Sequence, residues 1–118
     1  LPPYEILYVV SINDAQVTTL SADRASRTSG IPVLANSTYH PYGIDVTEAP
    51  VFGSAIVYFD GRFPEVPSGN IQGPMAYHSL AHNQVLRYDP AVDLATDFLL
   101  SGQITDTCSG ECYFEGTW

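Results

Sequence analysis

The sequence predicts a mainly β domain: an antiparallel β-sandwich or partly open barrel of about seven to nine strands, with one short helix over 90–101 packed on it. Three observations carry this expectation. Residues 51–59 (Val-Phe-Gly-Ser-Ala-Ile-Val-Tyr-Phe) are apolar on nearly every position of both parities, the pattern of a central strand covered by protein on both faces. Residues 4–12 alternate, with Tyr4, Ile6, Tyr8, Val10 and Ile12 on one face and Glu5, Leu7, Val9 and Ser11 on the other. A clean helical period occurs once, between Asp89 and Gly102.

Taken in order, the alternating strand over 4–12 runs into Asn13-Asp14, two residues that tolerate positive φ, and 15–20 reads as the returning strand of a hairpin. Residues 21–30 are small and polar, a loop or a single helical turn in which Arg24 and Arg27 share a side. Residues 31–34 form a short strand that Pro32 confines to a sheet edge or a strand start. Tyr39-His40-Pro41-Tyr42-Gly43 is a turn, since proline holds the residue before it extended, and 44–47 is another short strand. Asp60-Gly61 directly after the apolar run signals a hairpin. The segment after it carries Pro64 and Pro67 and therefore lies at an edge or leaves the sheet. Residues 68–73 read as a loop.

Residues 75–88 fit two strands, 75–81 and 84–88; a helix over 74–82 is the alternative. Asp89 can cap a helix that Pro90 opens and Gly102 stops. Ala91, Val92, Leu94, Ala95, Phe98 and Leu99 share its apolar arc, with Asp93, Thr96 and Asp97 opposite. Residues 103–108 and 112–118 read as a hairpin stapled by a Cys108–Cys112 disulfide. Two cysteines are too few for a structural zinc site, and closing so small a loop contributes about 2 kcal/mol in the chain-entropy model.

The 118 residues are expected to form one domain, 1–118. Thirteen acids face four bases, all of them arginine, for a net charge of −9. That balance excludes nucleic acid and anionic membranes as partners, because both need a basic footprint. Protonation of some carboxylates would relieve the self-repulsion, which points to an acidic extracellular setting; solubility alone is served as well. Asn36-Ser37-Thr38 is a glycosylation sequon. With the disulfide and a start at Leu1-Pro2-Pro3, it leads to the expectation of a secreted glycoprotein whose signal peptide has been removed. No apolar run has the length of a membrane span.

Chemical motifs are sparse. His78 and His82 would lie about 6 Å apart on a helix and could share a metal ion. On a strand roughly 13 Å separates them, so the strand reading argues against the site; His40 or a carboxylate would have to complete it. Asp45 and Glu48 flank the entry to the central strand, and Asp60 and Glu65 its exit. A pair about 5 Å or 6.5–9.5 Å apart could hydrolyse a glycoside. Asp89, Asp93 and Asp97 form a wet helical stripe. No nucleophile elbow and no phosphate-cradling glycine loop is present, and no cofactor is implied.

The aromatics Tyr39, Tyr42, Phe63, Tyr113, Phe114 and Trp118 fall in loops and chain ends, where rigid rings with polar tips serve recognition. The sequence therefore leads to a small acidic binding or structural protein, expected to be a monomer without catalysis, recognising a protein or carbohydrate partner through these rings. A hydrolase built on a carboxylate pair is the alternative, and a metal-binding protein through His78 and His82 the third reading.

Overall fold

A computed structural model describes residues 4–67 and 75–115, with 75–79 described through their helical backbone. It places helices on both faces of a parallel sheet, which overturns the expected antiparallel sandwich or barrel. The elements are β1 (Leu7–Ser11), α1 (Thr19–Ser29), β2 (Val33–Leu34), β3 (Val46–Thr47), β4 (Val51–Phe52), β5 (Ala55–Phe59), α2 (Met75–Gln84), a 3-10 turn (Val85–Arg87), α3 (Asp89–Ser101) and β6 (Gln103–Ile104). The main sheet has the order β1-β5-β2-β3, and every neighbouring pair is parallel. β4 and β6 form a separate antiparallel ribbon.

The strand predicted to be central is central in its second half. β5 lies between β1 and β2 and is fully buried. Its side chains alternate between two cores. Ala55, Val57 and Phe59 pack with Ala81, Val85, Ala91, Leu94 and Ile104 on the side of α2 and α3. Ile56 and Tyr58 pack with Val10, Ala22, Ile31 and Val33 on the side of α1. A strand apolar on both faces needs a layer on each, and crossover helices supply those layers when strands run parallel. The first half of the run leaves the sheet. Gly53 sits at φ 144°, and the Ser54 hydroxyl accepts from the Ile6 amide at 2.9 Å, separating β4 from β5.

Several local expectations are corrected with it. Asn13 has φ 63°, but no strand returns over 15–20. Thr18 instead caps α1, its hydroxyl accepting from Ser21 N, and Gly30 closes the helix in the left-handed conformation. The helix escapes a periodicity reading because the residues it buries are Ala22, Asp23 and Ser26. Of residues 31–34 only Val33–Leu34 form a strand, directly after Pro32, and it is interior to the sheet rather than at its edge.

Asp60-Gly61 turns no hairpin. Arg62 takes φ 56° with its amide on the Asp60 carboxylate at 2.7 Å, and Asp60 bridges in parallel to Tyr113. The two strands preferred over 75–88 are instead α2 and the 3-10 turn. α3 matches the expected helix and ends at Gly102, φ 70°; its N-cap is Tyr88, with Asp89 in the first turn. The stapled C-terminal hairpin does not form, because β6 pairs with β4. The Cys108–Cys112 disulfide is present, Cα–Cα 5.3 Å. No helix among the described residues is long and apolar enough to cross a membrane.

Candidate functional site

β1 ends at Ser11, Ile12 still donates its amide to Phe59 O, and the chain then turns at Asn13. The Asn13 side-chain amide holds this turn by donating to Phe63 O at 3.0 Å. Asp14 follows, and its carboxylate is fixed from two sides. Oδ1 accepts the amides of Gln16 (2.7 Å) and Val17 (3.1 Å), a local turn of the kind aspartate favours. Oδ2 lies 2.7 Å from Nδ1 of His82, in the last turn of α2. The fully buried Ala81 beside it seats the helix in the core.

An ionised carboxylate only accepts, so the proton of this bond sits on Nδ1, and in its neutral form the imidazole presents Nε2 as a base. The Asp14 side chain is 6% exposed and that of His82 34%, so the acid is sheltered while the imidazole reaches solvent. Both line a cleft of about 120 Å³ with Val9, Val10, Ser11, Val17, Val85 and Leu86. The Ser11 hydroxyl is buried and, among the described residues, makes no hydrogen bond. The site lies at the carboxyl end of β1, the end at which parallel sheets with helices on both faces place their ligands.

A second polar cluster lies under α1. Tyr58, completely buried on β5, donates its hydroxyl to Asp23 Oδ1 at 2.6 Å, and Tyr39 donates to Oδ2 at 3.2 Å. The Tyr39 and Tyr58 rings meet edge-on at 5.2 Å. Burial pushes the Tyr58 hydroxyl pKa well above the tyrosine range, and its bond to the Asp23 carboxylate pushes the same way. Tyr39 is raised by burial first, then by the Asp23 charge. This cluster joins α1 to the sheet.

The aromatic residues singled out from sequence divide between places. Tyr39 belongs to the Asp23 cluster, and Tyr42 is exposed, its carbonyl receiving the Arg27 guanidinium. Phe63 is buried edge-on against Phe114. Tyr113 and Phe114 do come together, lining a cleft of about 460 Å³ with Arg62, Tyr88 and Glu115. Within it Tyr88 stacks on Phe114 at 4.9 Å, and the Arg62 guanidinium lies over the Tyr113 ring. Trp118 lies outside the described residues.

Asn36 is engaged: its side-chain amide donates to Asp106 at 2.7 Å and its carbonyl oxygen is buried. Asp45, Glu48 and Glu65 are exposed. Among the described residues, no group of three His, Cys, Asp or Glu is placed to hold a metal ion. His82 pairs with Asp14, and the side chain of His78 lies outside the described residues.

Sequence reasoning missed Asp14, which it assigned to a turn, and Ser11, which it assigned to a strand face. Their only local signal is their position, directly after an apolar strand. Comparison of the chain with family models, with curated proteins and with solved structures found no significant match.

Proposed function

We propose that the domain carries a hydrolytic site in which His82, held by Asp14, is the proton-transfer group. The observation behind this reading is the Asp14–His82 hydrogen bond at the mouth of a cleft at the carboxyl end of β1. A carboxylate on Nδ1 keeps the imidazole in the tautomer that exposes a basic Nε2 and stabilises the imidazolium that forms when it takes a proton. The substrate class is an ester or amide, and the nucleophile is water, since no hydroxyl among the described residues is hydrogen-bonded to His82.

Nε2 removes a proton from that water as its oxygen adds to the carbonyl carbon. The tetrahedral intermediate collapses, and the leaving group departs with the proton returned from the imidazolium. Asp14 stays ionised throughout. This replaces a carboxylate pair with an acid–histidine pair as the enzymatic alternative. A disulfide is compatible with a secreted protein, and an extracellular setting for this activity is part of the proposal.

The test is hydrolysis of 4-nitrophenyl acetate by the purified chain, by His82→Gln and by Asp14→Asn. Proton transfer of this kind contributes about 10²–10⁴-fold, so each variant loses activity on that scale while keeping its circular dichroism spectrum. Equal rates for all three end the hydrolytic reading.

A second reading, recognition of a carbohydrate or protein without catalysis, is favoured by the cleft of Arg62, Tyr88, Tyr113 and Phe114. Stacked rings beside a guanidinium suit a flat polar ligand. Binding that is lost on Tyr113→Ala but unchanged by His82→Gln would carry this reading instead.

A further inference from the structure

The cleft at Asp14 and His82 shares a wall with a second depression. Val9, Val85 and Leu86 line it, and the same three residues line a groove of about 190 Å³ that continues along α3 past Val92 and Leu99. Thr96 is the one polar side chain among the groove's lining residues, and none of them is charged. In a chain of net charge −9 this is a marked exception. Leu86 and Leu99 are 66% and 80% exposed there, a contiguous apolar surface of the kind that marks a binding site.

We propose that the substrate hydrolysed at His82 carries an uncharged aliphatic chain, and that this chain lies in the groove between the 3-10 turn and α3. The inference rests on the hydrolytic reading and names its substrate class: the ester of an aliphatic acid or alcohol. The shared wall identifies the occupant, because a chain seated along Leu99 and Leu86 has its reacting end on the Val9 and Val85 side, toward His82. The absence of any cation among the lining residues, with the acidic charge of the whole chain, disfavours a chain ending in a carboxylate.

The experiment has two arms. In the first, kcat/KM is measured for 4-nitrophenyl esters from acetate to octanoate, with the His82→Gln rate subtracted. Burial of each methylene predicts a rise of about fourfold per added carbon until the groove is filled. In Val92→Thr/Leu99→Gln, two exposed positions of the groove, the rise with chain length flattens. A wild-type series flat from acetate to octanoate, with His82-dependent turnover, overturns the groove and leaves the hydrolytic reading standing.

In the second arm, 1-octanol is titrated into ¹⁵N-labelled protein, wild type and His82→Gln. Saturable shifts of the Val92, Leu86 and Leu99 amides in both are expected. Such shifts without turnover of any ester would sink the hydrolytic reading and retain the groove as an aliphatic site. No shifts, or shifts of these amides that follow protein concentration because a second copy covers the groove, overturn the inference.

Discussion

Asp14 and Asp23 are both nearly buried acids, and what each bonds sets them apart. Asp14 gives one oxygen to backbone amides and the other to an imidazole that reaches solvent, so its charge is available to chemistry. Asp23 gives both oxygens to tyrosine hydroxyls under a helix, so its charge is spent on structure. Tyr58→Phe removes a buried hydrogen bond to a charged group and is expected to cost about 1.5–3 kcal/mol in urea unfolding at neutral pH. The raised Tyr58 pKa has a consequence at alkaline pH. Below the ordinary tyrosine value of about 10 its contribution is fully present. As pH rises beyond that value, the unfolded chain releases a proton that the folded chain retains, and stability falls. Wild type should therefore lose stability above about pH 10 more steeply than Tyr58→Phe; parallel pH profiles would refute the coupling. Neither acid was legible in the sequence. Each sits in a polar stretch, and burial arises from contacts with Tyr58 and His82, 35 and 68 residues away.

Elements were legible where one local signal sufficed. α3 is bounded by Pro90 and Gly102, and its apolar arc contains the residues that enter the core. α1 and α2 were not, since α1 buries small and polar side chains and α2 has no marked apolar face. The arc of α3 is wide enough to have a buried edge and an open one. Leu94 and Leu99 stand about 140° apart on the helical wheel, at opposite edges of the arc: Leu94 is fully buried and Leu99 lies in the open groove. Leu94→Ala should cost about 2–5 kcal/mol by loss of packing. Leu99→Ala should change thermal stability by no more than about 0.5 kcal/mol. Equal losses for the two in denaturant titrations would contradict the assignment of Leu99 to a free surface.

At the scale of the whole molecule, only the second half of the apolar run, Ala55–Phe59, lies at the centre of the sheet, and the layers that cover it are helices rather than a second sheet. A continuous apolar strand is the mark of a parallel sheet with both faces covered, but the hairpin signals at Asn13-Asp14 and Asp60-Gly61 favoured antiparallel partners. The chain does turn at both places, with Asn13 and, one residue beyond Gly61, Arg62 at positive φ. They turn it at the carboxyl edge of the sheet, so that the ends of β1 and β5 become places where other segments dock. The disulfide loop docks on one of them: Cys112 N donates to Asn36 O, and Asp60 N to Cys112 O. α2 docks at the other through His82.

That docking joins β1 to α2 and creates the site, so the central claim is most directly tested at the His82 ring. Long-range ¹H–¹⁵N correlation spectra of the ring nitrogens report which one carries the proton in the neutral form. The account predicts a single Nδ1–H tautomer in the wild-type protein and its loss in Asp14→Leu. An Nε2–H tautomer in the wild type, or a ring spectrum unchanged by Asp14→Leu, would contradict it.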